Sequence, residues 1–151
     1  GNSVRAWRLA LDCDASGALS FTDFVPKVRA LGYEGSFRDL WSSLDNQGRG
    51  TISLFELDAN AARPFAHFRT WLLLNFETAE GAWHTLSSGN PMLTQEQFTR
   101  ACRHCCWGGD AALVFRMLED DTSGARRLSR SALEWAGLCD PGFVAVEAGQ
   151  E

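Results

Sequence analysis

Apolar residues recur along this chain at helical spacing, in short stretches separated by polar, glycine-containing breaks. The pattern predicts helices near residues 3–12, 21–32, 37–45, 54–62, 65–76, 79–86, 95–106, 110–119 and 130–138. Four of the breaks end alike, with an apolar residue and then a Ser or Thr that opens a helix: Leu19-Ser20, Ile52-Ser53, Leu93-Thr94 and Leu128-Ser129. In the first three, Asp23, Glu56 or Gln97 follows the hydroxyl residue by three positions. That is the capping-box arrangement, in which the two side chains satisfy each other's orphan backbone donors. Leu19 and Ile52 lie 33 residues apart and Leu93 and Leu128 lie 35 apart; the offset between halves is 74 from Leu19 to Leu93 and 76 from Ile52 to Leu128. A duplicated pair of helix–loop–helix units explains these distances, and Ala6-Trp7 and Ala82-Trp83 open the two halves in the same phase. The segments just before each helix should pair two by two, Leu19 with Ile52 and Leu93 with Leu128, so that each loop satisfies the other's backbone.

Between the halves runs a segment from Arg63 to Phe76. Pro64 suits the first turn of a new helix. Phe65, Phe68, Trp71, Leu72 and Phe76 then form a wide apolar face. Such a face does not stand alone in water, so this helix is expected to dock and draw the halves into one body, with His67 as a partly exposed neighbour.

The chemistry is concentrated in the breaks. Residues 12–23 read Asp-Cys-Asp-Ala-Ser-Gly-Ala-Leu-Ser-Phe-Thr-Asp. Oxygen-bearing side chains fall at positions 1, 3, 5, 9 and 12 of this stretch (Asp12, Asp14, Ser16, Ser20, Asp23), with Gly17 at position 6 and Leu19 at position 8. A hard cation such as Ca²⁺ takes six to eight oxygens, and this alternation turns every second side chain onto one point; the Ala18 carbonyl completes the set. Residues 45–56 repeat the frame with Asp45, Gln47, Thr51, Ser53 and Glu56 as candidate ligands, Gly50 at position 6 and Ile52 at position 8. Arg49 stands at position 5, where it offers only donors and a fixed positive charge.

These motifs resemble those of the EF-hand calcium-binding proteins. The resemblance implies an all-α fold of two EF-hand pairs, in the four-hand arrangement of calmodulin-like proteins, with short antiparallel loop–loop pairing; the connecting helix here is apolar, where calmodulin-like proteins carry a polar, solvated one. The expected organisation is an N-terminal pair at 1–63, the connecting helix at 64–76, a degenerate C-terminal pair at 77–140 and a tail at 141–151. It implies Ca²⁺ at the first loop, with Mg²⁺ as competitor because the closing residue is Asp23 rather than the longer Glu, and a second loop that is weak or empty. The third loop, around Ser87 to Met92, has no carboxylate before Glu96, and Pro91 removes a backbone donor, so no metal is expected there. In the fourth, Glu119, Asp121, Ser123 and Gly124 begin a loop, but Arg126 and Arg127 look inserted and Ala132 stands where a closing carboxylate belongs. One irregularity concerns the first hand: Trp41 and Phe115 precede their loops by four residues, but Trp7 precedes Asp12 by five. That extra residue requires either a helical bulge or a different packing site for Trp7.

Composition narrows the function. A net charge of −5 with no basic run longer than two residues argues against nucleic acid. No stretch reaches the length of a membrane span. Five cysteines in no framework spacing favour a reducing, cytoplasmic setting. Cys102, Cys105 and Cys106, with His104 beside them, are expected on one helical face, where they read as a packed helix, with a zinc or redox-sensing thiol cluster as the other readings. No nucleophile–base pair or phosphate loop suggests an enzyme. The expected function is calcium-responsive binding of a protein partner through aromatic surface, with only Met92 and Met117 available for a methionine-rich groove. The other reading is a structural scaffold that binds its partner regardless of calcium.

Overall fold

The apolar periodicity is realised as a mostly helical chain. The computed structural model describes residues 3–12, 16–121 (backbone alone at 121) and 126–139. In order these are α1 (Ser3–Ala6) running into a π-helical turn (Trp7–Leu11), β1 (Leu19–Ser20), α2 (Phe21–Ala30), α3 (Phe37–Leu44), β2 (Thr51–Ile52), α4 (Leu54–Leu57) and α5 (Ala59–Phe76). The second half follows with α6 (Ala79–Ser87), β3 (Met92–Leu93), α7 (Gln95–His104), α8 (Ala111–Leu118), β4 (Asp120–Asp121), β5 (Arg126–Ser129) and α9 (Arg130–Leu138). Among the described residues no helix is long and apolar enough to cross a membrane.

The strands form where the repeated apolar–hydroxyl pairs predict them. Leu19 faces Ile52 and Ser20 faces Thr51 in an antiparallel pair. Leu93 faces Leu128 and Met92 faces Ser129 in the second. Each of β1, β2, β3 and β5 is followed at once by a helix, and the Ser20, Thr94 and Ser129 side chains cap the first turns of theirs. The Thr94 hydroxyl accepts the Gln97 N–H while the Gln97 side chain accepts the Thr94 N–H, at 3.1 and 2.9 Å. Ser20 accepts the Asp23 N–H at 3.3 Å. At Ser53 the Glu56 carboxylate takes both the backbone N–H and the hydroxyl.

The long apolar face of α5 is docked. Phe65, Phe68 and Leu72 are fully buried, and α5 touches α1, α6, α8 and α9. Phe68 meets Trp71, Phe98 and Trp107 at ring separations of 5.7, 5.8 and 5.1 Å, and Phe65 meets Trp135 at 5.4 Å. The two halves therefore share one core. The chain breaks before α5 at Asp58, not at Pro64. Asp58 adopts an extended backbone, its carboxylate accepts the Ala61 N–H at 3.2 Å, and it also accepts the Ser3 hydroxyl at 2.6 Å. A carboxylate cap reaches a helix's orphan donors, whereas Pro64 merely omits one donor inside the helix.

The odd spacing at Trp7 has a direct cause. The Asp12 N–H bonds the Trp7 carbonyl at 2.6 Å, five residues back, whereas Asp45 bonds Trp41 and Glu119 bonds Phe115, four residues back, each at 2.8 Å. The π turn absorbs the extra residue and keeps Trp7 fully buried.

Candidate cation loops

The first and second loops share one backbone scheme. Asp12 Oδ1 accepts the Ser16 N–H and Oδ2 the Gly17 N–H, both at 2.9 Å. Asp45 Oδ1 accepts the Arg49 N–H and Oδ2 the Gly50 N–H, again both at 2.9 Å. Gly17 and Gly50 each sit at φ +85°, a left-handed conformation that a side chain would strain. The opening carboxylate of each loop thus accepts the N–H groups four and five residues further on.

The loops differ in what occupies their centres. In the first, the Ser16 hydroxyl lies 2.8 Å from Asp12 Oδ1 and 3.0 Å from the Ala18 carbonyl oxygen. Three expected ligands, at positions 1, 5 and 7, are gathered about one hydroxyl proton. Ser20 and Asp23, expected at positions 9 and 12, are joined at 3.1 Å, and the Asp23 side chain faces solvent. Asp14 lies outside the described residues. The described donors of this loop are all hard oxygens, which fit Ca²⁺ or Mg²⁺.

In the second loop the centre holds a guanidinium. Arg49 Nε and Nη2 donate to Gln47 Oε1 at 3.3 and 3.2 Å, and Arg49 Nη1 stands 3.3 Å from Glu56 Oε1. Glu56 Oε2 is taken by Ser53. Both carboxylates of the loop are therefore engaged on both oxygens, and Thr51 is exposed on β2. This arrangement does not suit a divalent ion, because a fixed positive charge already joins positions 3 and 12.

The first loop is also tied to the far end of the chain. Asp12 is fully buried. Its carbonyl accepts the Trp135 indole N–H at 2.9 Å, and Cys139 Sγ lies 3.6 Å from its Oδ2. Burial, and then the Asp12 carboxylate, push the Cys139 thiol up to about 12, so it stays neutral. The adjoining Arg8 is buried in α1's turn and donates to the Leu118 and Glu119 carbonyls at 3.1 and 2.9 Å and to Asp120 Oδ1 at 3.1 Å. Sequence reasoning missed Arg8, Trp135 and Cys139. Arg8 left one trace, a charge on the apolar stripe of Val4, Trp7 and Leu11.

The fourth break is a hairpin. Asp120 faces Arg127 and Asp121 faces Arg126, so the two arginines that looked inserted are strand residues. Ser123 and Gly124 lie outside the described residues. Glu119 is buried, with Arg5 at 3.5 Å and Arg126 at 3.9 Å, so arginines already neutralise this acidic cluster. The expected cysteine face does not form, because α7 ends at His104. Cys102 is buried with its thiol pushed up to about 12 by burial and by Cys105, while Cys106 turns away at φ +66°. Among the described residues no group of three or more His, Cys, Asp or Glu is arranged to hold a metal ion. A scan against family models and a search of curated proteins find no match to this chain.

Proposed function

We propose that this chain is a calcium-responsive module of two EF-hand pairs that takes one Ca²⁺ at its first loop and binds a protein partner. The observation that carries this reading is the gathering of Asp12 Oδ1 and the Ala18 carbonyl oxygen about the Ser16 hydroxyl, each within hydrogen-bond distance of it. A cation entering there replaces one hydroxyl proton's contacts. Asp14, Ser20 and Asp23 supply the remaining ligands, and Mg²⁺ competes because Asp23 is short. Asp12 also links ion binding to α9, through Trp135 and Cys139. For the partner, α3 offers aromatic and apolar side chains that stay partly exposed although they pack against the core: Phe37, Leu40, Trp41 and Leu44.

The scaffold reading has its own support. Glu56 of the second loop pairs with Arg49, and Glu119 and Asp120 of the fourth pair with Arg5, Arg126 and Arg8, so these acids have protein cations as partners. A calorimetric Ca²⁺ titration in physiological Mg²⁺, run beside Asp12→Ala, separates the two. One saturable site with a dissociation constant on the order of 10⁻⁵ M or weaker, lost in the variant, supports the calcium module. Absence of saturable heat in the native chain overturns it and leaves the scaffold.

A further inference from the structure

The second loop is the place where the structure departs most clearly from its sequence frame. Arg49 is the fifth of twelve positions, where a ligand oxygen is expected, and its side chain turns back into the loop. Its guanidinium joins Gln47 Oε1 and Glu56 Oε1, the side chains at positions 3 and 12. A metal ion in such a loop draws together the same positions. Asp45 meanwhile organises the backbone through Arg49 and Gly50 as Asp12 does through Ser16 and Gly17. The strand Thr51–Ile52 is in register with Leu19–Ser20.

We infer that Arg49 is the resident cation of the second loop: its guanidinium takes the metal's place, keeps β2 paired with β1 in the absence of any ion, and limits the pair to a single ion site. The inference rests on the EF-hand reading of the loops. It follows from charge and geometry together. The first loop's sequence has three carboxylates and no cation, and the second has two carboxylates and one arginine. A divalent ion approaching Glu56 must displace a charge that is covalently attached and never deprotonated. Because the second loop is already filled, ion binding at the first loop gains nothing from a second ion, and the titration is non-cooperative with a Hill coefficient of about 1.

The test removes the first loop's contribution, so that only Arg49 is read. In an Asp12→Ala background, three chains are titrated with Ca²⁺ alone by calorimetry and by the shift in melting temperature: Arg49 retained, Arg49→Lys and Arg49→Asp. The expected result is no saturable binding in the first two and one saturable site in the third, with a melting temperature that rises with Ca²⁺. A folded Arg49→Asp chain, its helix content intact by circular dichroism, that takes no Ca²⁺ at millimolar concentration overturns the inference. So does a Lys variant that gains the site equally. Should the Asp variant fail to fold, Arg49→Gln decides in the same background: its melting temperature falls without metal and Ca²⁺ recovers it, and a fall that Ca²⁺ leaves unrecovered overturns the inference. Failure of the calcium module itself has a different signature, a native chain with no Asp12-dependent site.

Discussion

The first and second loops of the N-terminal pair are built on one plan and differ in their centres. Both open with an Asp that accepts two N–H groups at 2.9 Å, both turn at a glycine with φ +85°, and their strands pair with each other. In one, Asp12 Oδ1 and the Ala18 carbonyl flank the Ser16 hydroxyl; in the other, Arg49 joins Gln47 and Glu56. The first is also clasped from behind by α9 and flanked by the buried Arg8, whereas the second loop lies open to solvent. The comparison separates two properties that usually travel together. The two loops share the opening Asp and the glycine, and they differ at position 5, Ser16 in one and Arg49 in the other.

The comparison can be broken most severely through Arg8. Its three bonds fix the first loop's helix to the start of the fourth break, so Arg8→Ala leaves Asp120 and two carbonyls without it. A loss of about 3–5 kcal/mol in chemical denaturation is expected, with the second loop's Arg49–Glu56 pair unaffected. Next is the thiol behind Asp12. The folded-state values of Cys139 and Cys102 are raised from 9.0 to about 12, so their preference for the neutral form stabilises the fold fully below pH 9. That contribution is lost as pH climbs from 9 to about 12, at roughly 1.4 kcal/mol per unit for each thiol. Urea midpoints across that window should fall, and Cys139→Ala should flatten part of the fall.

Smaller changes sharpen the contrast. Trp135→Phe keeps a ring against Phe65 and removes the donor to the Asp12 carbonyl. It should cost about 1–2 kcal/mol and weaken Ca²⁺ binding at the first loop. Ser20→Ala removes a helix cap and an expected ligand together, about 1 kcal/mol in thermal melts plus a loss of Ca²⁺ affinity. Arg49→Gln should cost under about 1 kcal/mol, because its pair with Glu56 is partly exposed, and added salt should shrink the difference.

Local features of this fold were legible in the sequence. The helices follow from apolar periodicity, the strand partners Leu19–Ile52 and Leu93–Leu128 from the repeat distances, and the caps from hydroxyl–acid spacing. Even the π turn was present as one surplus residue between Trp7 and Asp12. Long-range chemistry was not. The bond from Trp135 to Asp12 joins residues 123 apart, and no local pattern encodes it. Pro64 misled because a proline permits a helix start without requiring one, and Asp58 caps better. In the fourth break Arg126 and Arg127 looked like surplus residues, because local spacing does not show that they stand opposite Asp121 and Asp120. For Arg49 the charge was legible and its direction was not: the side chain turns back to Gln47 and Glu56, two and seven residues away, and spacing alone does not say whether it points there or to solvent.

The most direct test of the account follows the amide resonances of Gly17 and Gly50 in one nuclear magnetic resonance titration with Ca²⁺. Each N–H is bonded to the opening carboxylate of its own loop, so each reports a cation arriving on that carboxylate. The account predicts a saturable shift of Gly17 with Gly50 nearly still. Movement of Gly50 alone, movement of both in step, or a motionless Gly17 would contradict it.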